Sequence, residues 1–439
     1  MRRISVVIAF ILCGCTAGSI AATPTPPFGP ATATAPTLSS AVASPTAIPT
    51  AAPATPTARP TDATGRVALS ARVAPVTASW RPDGPVAIVE EYLLGGTLRI
   101  WAVALAFGPN VIRGGGQNRP LVDITAAASG GWAVRRDGSA FVFAIASYDG
   151  AGNEVRLALW DAATGATRWL TAAEGDRTQE GTVAEYPVWS ADGSEVFFHR
   201  ARYRQGAGNE DLGIWRIKPD GTGLALVMAP PANAQMGLVL HGLTPDGGGL
   251  VWGRVGMHII NGQSDHMTTS VEILDLATGA QRLLGCCHAG IASWRGTRPR
   301  ALVIGDHAGL SQMILVLWDD IALSERTLLG PGWIGGADWD PQGERIVVAS
   351  GSALTSPLSI IDTSGRTVRT LPATEGAAGP RWDSAGIVYD QWVQRPPIDP
   401  NASVSRAIGE IRAIDPNGGP PATLFTSDHF VHLVAIVRP

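Results

Sequence analysis

The sequence predicts an all-β protein, a single β-propeller of four-stranded blades preceded by a disordered linker. Three observations predict it. A large apolar residue followed by a tight polar turn recurs along the chain, with Trp-to-Trp steps of 52, 57, 105, 45 and 43 residues from Trp80 to Trp382. A second unit, strand, Asp/Gly turn, strand, lies downstream of each first one. Residues 21–64 carry neither signal and are almost entirely Ala, Thr, Pro and Ser. Periods of about 45–55 residues mark repeat architectures, and blades of four strands fit that length better than helical pairs.

The chain opens with MRRISVVIAFILCGCTAGSI, in which Arg2 and Arg3 precede an apolar run that ends at Leu12. That run is too short to cross a bilayer as a stable helix and reads as an export signal. Its end, Leu12-Cys13-Gly14-Cys15, resembles the lipobox of bacterial lipoproteins. The resemblance implies removal of residues 1–14 and lipidation of Cys15, with the mature protein held on the extracytoplasmic side of a bacterial membrane. Several acyl chains on one cysteine, at about 0.8 kcal/mol per buried CH₂, make such an attachment stable. An uncleaved signal anchor with an incidental cysteine is the alternative.

Residues 15–64 form the expected stalk. Stretches such as TAAPATPTARPTDAT bury too little apolar surface to offset the entropy of ordering them. Their prolines favour extended polyproline II at about 3.1 Å per residue, so the stalk reaches on the order of 100 Å from the membrane.

Residues 65–439 are the propeller. With 45% hydrophobic residues, the 439-residue chain has ample material for a large core. The 33 Lys and Arg against 37 Asp and Glu, a net charge of −4, provide no basic stripe and exclude nucleic acid as the expected partner. The counts of 52 Gly, 33 Pro and 14 Trp imply many turns and many anchored strands.

The first unit occurs seven times: Trp80 to Asp83-Gly84, Trp132 to Asp137-Gly138, Trp189 to Asp192-Gly193, Leu243 to Asp246-Gly247, Trp294 to Gly296, Trp339 to Gly343 and Trp382 to Gly386. Leu243 replaces Trp in the fourth copy, so the step of 105 is two periods and seven blades are expected. Asp-Gly supplies the positive φ of a short hairpin, and a Trp ending the innermost strand a is large enough to wedge between blades. The second unit reads LALWDAATGATRWLT (157–171), IWRIKPDGTGLALV (214–227), VEILDLATGAQRLL (271–284), ILVLWDDIALSERTLL (314–329), LSIIDTSGRTVRTL (358–371) and GEIRAIDPNGGPPATLF (409–425). These are strands c and d of each blade. In the first blade only LRIWAVAL (98–105) is clear, and the fourth strand is blurred. The terminal DHFVHLVAIVRP reads as a further strand that, with RVALSARV (66–73), closes the ring.

The repeats resemble the WD40-like repeat of the TolB family, whose hallmark is a W-S-P-D-G turn, over about 375 residues. The resemblance implies the fold; propellers of this kind serve as scaffolds, binding modules and enzyme domains alike. TolB-like proteins carry an α/β domain before a six-bladed propeller, whereas here an anchor and a stalk precede seven repeats. The TolB partner, a peptidoglycan-associated lipoprotein, is therefore not carried over.

In an up-and-down blade the a–b and c–d turns share one face of the disc and the b–c and d–a connections the other. The b–c connections at 200–213, 254–269 and 390–409 and the d–a connections at 106–131 and 171–187 read as long loops. Long loops in compact domains are commonly functional, which places the expected binding site on that face, at the central mouth. Its candidate contacts are Arg202, Tyr203, Arg204, Asp211, His258, Asp265, His266, Trp392 and Arg395, each of which also fits an ordinary solvated loop. Cys286-Cys287 on the same face lack the spacing of a zinc site and are read as a vicinal disulfide, as two packed thiols, or as a redox or metal pair.

No G-x-S-x-G, H-E-x-x-H, P-loop or C-x-x-C motif occurs. The first expectation is a membrane-tethered, monomeric binding module whose partner is another envelope protein, a peptide or a glycan, with no cofactor or metal. The second is an envelope enzyme with a site at the propeller mouth, metal-assisted through His258 and His266.

Overall fold

The computed structural model describes residues 69–438 apart from 94–95, 109–110, 115, 126, 148–153, 173–179, 205–207, 232–236, 261–262, 287, 295–299, 307–312, 320–323, 352–354 and 396–405. The signal segment, Cys15 and the stalk lie outside the described residues, as does Cys287.

A 3-10 turn and β1 (Val73–Pro75) lead into a first blade of β2 (Val86–Leu93), β3 (Thr97–Gly108) and β5 (Arg119–Thr125), with the short β4 (Val111–Gly114) paired to the far end of β3. The second blade is β6 (Ala127–Val134), β7 (Ala140–Ser147), β8 (Glu154–Asp161) and β9 (Thr167–Trp169). The third is β10 (Glu180–Trp189), β11 (Val196–Arg204), β12 (Gly208–Ile217) and β13 (Ala225–Met228), and the fourth β14 (Leu238–Leu243), β15 (Gly249–Ile260), β16 (Gln263–Asp275) and β17 (Gln281–Cys286). The fifth has β18 (His288–Trp294), β19 (Arg300–Asp306), β20 (Met313–Asp319) and the first half of β21 (Ser324–Trp339). The second half of β21 opens the sixth blade, followed by β22 (Arg345–Gly351), β23 (Leu358–Asp362) and β24 (Thr367–Thr370). The seventh is β25 (Ala377–Asp383), β26 (Gly386–Arg395), β27 (Arg406–Ile414) and β28 (Ala422–Ser427), after which β29 (Phe430–Val437) ends the chain.

Burial explains why these strands assemble. Each blade is apolar on both faces, so a blade alone leaves apolar surface in water, and neighbours must cover it. Among the described residues the core falls into seven apolar clusters, each shared by two neighbouring blades, and the last joins blade seven to blade one through Val388, Ile411 and Phe425 against Val89, Val103 and Leu433. A cyclic set of interfaces is what a closed ring requires. Trp189, Trp339 and Trp382 are buried in the clusters that join their blades to the preceding ones, and the half-buried Trp132 packs on the equivalent cluster. The side chain of Trp294 is outside the description.

Ring closure differs from the sequence expectation in one respect. Strand β29 pairs antiparallel with β2, from Val437 opposite Val86 to Phe430 opposite Tyr92, and so supplies the innermost strand of blade one. The N-terminal β1 instead pairs with the outer strand β5. Because β29 already satisfies the inner edge of β2, the segment before β2 has no edge to join, and Trp80 packs against Phe141 of blade two with ring centroids 6.4 Å apart. The blurred fourth strand of blade one is β5, displaced in sequence by the β4 excursion.

The a–b turns are held by their aspartates. Asp192 Oδ1 accepts hydrogen bonds from Ser194 N (3.0 Å) and from the Ser190 and Ser194 hydroxyls (2.7 and 2.8 Å), while Gly193 takes a φ of 69°. Those bonds, first from the Ser194 backbone and then from Ser190, lower the Asp192 pKa to about 2. Asp137 and Asp246 accept the equivalent backbone bonds from Ser139 and Gly248, at 3.0 Å each. Gly138, Gly247 and Gly343 repeat the positive φ, but Gly84, in the turn that β29 has displaced from the ring, does not.

Candidate functional site

The described residues of the segments at 200–213, 254–269 and 390–409 are paired strands rather than irregular loops. They extend the b and c strands into long hairpins, β11–β12, β15–β16 and β26–β27, with residue-by-residue pairing to Arg204–Gly208, Ile260–Gln263 and Arg395–Arg406. The stretch 106–131 likewise holds β4, β5 and the start of β6. In β11–β12 polar side chains hid the pattern, because Arg202 to Asp211 show no apolar alternation. Cross-strand charge pairs take its place in β11–β12, where Arg202 stands opposite Glu210 in register. Glu210 Oε2 lies 3.6 Å from Arg202 Nη1 and 3.3 Å from Arg204 Nη2, and exposed pairs of this kind contribute at most about 1 kcal/mol each.

Arg202, Tyr203 and Arg204 thus share the end of β11, paired to β10 on one side and β12 on the other, with Arg204 exposed. Asp211 is placed differently from its candidate role. Its carboxylate is 9% exposed, Oδ1 accepts the Gly213 N–H at 2.7 Å, and the same oxygen lies 3.2 Å from Nε2 of the buried His199. This pair sits at the β-bulge between His199 and Ala201, which holds the Asp211 carboxylate within the hairpin. In β15–β16 the register sets His258 across from Asp265 and His266 across from Met257; their side chains, those of Arg395 and Cys286, and all of Cys287 are outside the description.

Trp392 belongs to an aromatic patch that sequence reading missed. Its ring meets Phe430 at 4.7 Å in an edge geometry, and Phe430 meets Tyr92 at 5.3 Å. Tyr92, next to the end of β2, pairs with Phe430 at the start of β29, so the patch lies at the inner end of the hairpin face, over the closure seam, with Tyr92 42% exposed.

Two buried carboxylates anchor the seam beneath it. Adjacent residues of a strand point to opposite faces, so Glu90 and Glu91 turn to opposite neighbours. Glu90 accepts the Trp132 indole N–H from blade two and the Tyr92 hydroxyl at 2.9 Å. Glu91 accepts the Trp101 indole N–H at 2.7 Å, together with the Ser427 hydroxyl, and lies 3.3 Å from Nδ1 of His429, both on the chain leading out of blade seven. His432 of β29 lies 3.7 Å from Asp390 of β26. Burial works to lower the His432 pKa, but the hydrogen bond and charge of Asp390, with Glu90 behind, outweigh it and raise the value. The signal for the carboxylates was visible as the only charges in the apolar run VAIVEEYL. Nothing in the sequence announced that the last strand would bring aromatic and histidine partners to them.

No protein-family model matches the sequence, and no curated protein matches it. Among solved structures, a prolyl endopeptidase is similar at 16% identity with a TM-score of 0.50 over 79% of this chain and 50% of that one. A puromycin-hydrolyzing peptidase of Mycobacterium tuberculosis is similar at 16% identity and a TM-score of 0.50, over 77% and 52% of the two chains. The fold is a β-propeller. The chain spans about half the length of these two peptidases, and at such identities the likeness is one of fold. TolB from Acinetobacter baumannii is also similar, at 17% identity and a TM-score of 0.39 over 71% of this chain and 69% of that one.

Proposed function

We propose that this propeller is a binding module tethered outside the cytoplasm through a lipid on Cys15 and carried on the 15–64 stalk. Its partner is an envelope protein, a peptide or a glycan, received on the hairpin face. The observation that carries this reading is the aromatic patch of Tyr92, Phe430 and Trp392, solvent-accessible at the inner end of that face. Aromatic rings that present one polar tip and a rigid apolar body are the residues on which binding energy concentrates. Arg202, Tyr203 and Arg204 on β11 supply a polar rim to the same face.

Cross-linking of the lipidated protein in its native envelope, beside a variant carrying Arg202→Glu, Arg204→Glu and Trp392→Ala, tests this. Capture of one protein or glycan that the variant loses is the expected result. Identical capture by both chains overturns the hairpin-face reading. Fatty-acid labelling that persists in Cys15→Ser overturns the anchor.

A further inference from the structure

The opposite end of the channel carries a feature that the hairpin face does not explain. A cleft of about 500 Å³ opens where the innermost strands of blades two, three and four approach their Asp-Gly turns, lined by Trp132, Arg136, Tyr186, Trp189 and His241 among others. None of the residues expected to bind from the sequence is among its lining.

The backbone at the cleft departs from the repeat. Innermost strands in this ring carry a bulge opposite strand b: between Ala127 and Trp132 in blade two, Glu185 and Val188 in blade three, Leu240 and Gly242 in blade four, Ile334 and Gly336 in blade six, and Ala378 and Arg381 in blade seven. The bulge demands a left-handed or otherwise positive φ, and blades two, four, six and seven meet it with Gly131 (72°), Gly242 (141°), Gly336 (148°) and Gly379 (47°). Blade three meets it with Tyr186, at a φ of 55°. Holding a non-glycine residue there costs about 1 kcal/mol, and such strain concentrates at ligand sites. Blade four leaves His241 unpaired at its bulge, with Nε2 buried and without a partner among the described residues. Where blade six has Gly335 and Gly336 at its bulge and blade seven Gly379, these two blades place a phenol and an imidazole.

The charges fit one class of ligand. Arg136 is exposed at the rim and makes no ion pair among the described residues, unlike its neighbour Arg135, which lies 3.4 Å from Asp137. Burial lowers the His241 pKa to about 4, so the imidazole is neutral at pH 7, and burial with the charge of Glu185 raises Tyr186 to about 12, so the phenol keeps its proton. Among the carboxyl groups nearby in sequence or structure, Asp137 is taken by Arg135 and Ser139, Glu90 is engaged by Trp132 and Tyr92, and Glu185 is raised by burial. The cleft therefore offers two aromatic faces, a cation with no ion pair among the described residues, and two uncharged hydrogen-bonding groups.

We propose that this cleft binds a small aromatic carboxylate, its ring against Trp132 and Tyr186 and its carboxylate at Arg136, with the Tyr186 hydroxyl and His241 Nε2 meeting polar substituents on the ring. The volume suits a compact ligand rather than a polypeptide segment. The site is separate from the hairpin face, and each stands or falls alone.

Titration calorimetry on the full-length chain in detergent, with naphthalene-2-carboxylate, naphthalene-2-methanol and naphthalen-2-ylmethylamine, decides it. The carboxylate binds saturably and tightest of the three. Arg136→Ala, at an exposed position, weakens it about tenfold and brings it level with the alcohol, the scale of one charge-assisted contact. Tyr186→Gly removes the ring wall and abolishes measurable binding, while Trp392→Ala on the other face changes nothing. Absence of saturable binding, an amine or alcohol that binds as well as the carboxylate, or an Arg136→Ala titration superimposable on the parent overturns the assignment. If Tyr186→Gly does not fold, the Arg136→Ala titration alone decides.

Discussion

The closure seam and the channel cleft are both built from polar residues on or beside innermost strands, and they treat those residues in opposite ways. At the seam, Glu90 and Glu91 each accept donors at both oxygens, and His432 has Asp390. At the cleft, Tyr186 sits in a strained backbone region and His241 Nε2 has no partner among the described residues, and beside it the half-buried Glu185 stands opposite His199 with its pKa raised. A buried polar group that is satisfied holds structure together, whereas one left wanting a partner costs stability wherever no ligand supplies it. The difference separates what makes the ring from what the ring presents.

The largest expected effect tests closure itself. Deleting residues 430–439 removes the innermost strand of blade one and leaves the apolar edge of β2 open to solvent and to other chains. Calorimetry on the truncated chain should show loss of the single cooperative transition, with aggregation; retention of the parental transition would show that the seam does not hold the ring.

Next in size is the contrast between a buried carboxyl, Glu91, and a half-buried one, Glu185. Glu91→Ala strands the Trp101, Ser427 and His429 donors and should cost about 3 kcal/mol in denaturant unfolding at pH 7. Glu185→Gln removes a carboxyl whose ionised form burial disfavours, and should be neutral or stabilising at the same pH. Equal losses from the two substitutions would abolish the distinction.

The two histidines should give pH slopes of opposite sign. His241 is lowered from about 6.5 to about 4, so the unfolded chain takes its proton first as pH falls, and stability is lost between those values, on the order of 1–3 kcal/mol. His432 is raised, so its contribution is complete below its unfolded pKa and fades as pH rises through the folded one. Stability profiles of His241→Gln and His432→Gln against the parent check both; a parental profile that His241→Gln leaves unflattened below pH 6.5 would remove the histidine from the cleft account.

The smallest effect is expected at Tyr186. Relief of the left-handed strain offsets lost packing, and Tyr186→Gly should unfold within about 1 kcal/mol of the parent. A loss as large as that of an unstrained buried aromatic would mean that the ring is a core residue and no more.

Much of the architecture was legible in order along the chain. Trp189, Asp192 and Gly193 report a strand end and its turn because both depend on residues a few positions apart, and the same holds for each later copy. The hairpins were read as loops because Arg202 to Asp211 carry no apolar alternation, although their ladder is continuous apart from the bulge at His199. Asp211 looked like a surface acid and proved to be the partner of His199, a contact made across strands.

Local chemistry settled the all-β class, the repeat and the turn geometry, because hydrophobic period and turn residues act within a few residues of one another. The arrangement around the channel was decided by contacts that cross the whole chain: Glu91 with Ser427, 336 residues apart, and Trp132 beneath Glu90. A bulge that accepts glycine in one blade and tyrosine in the next cannot be told apart in a single line of sequence. Its cost and its use appear only when neighbouring blades are brought face to face.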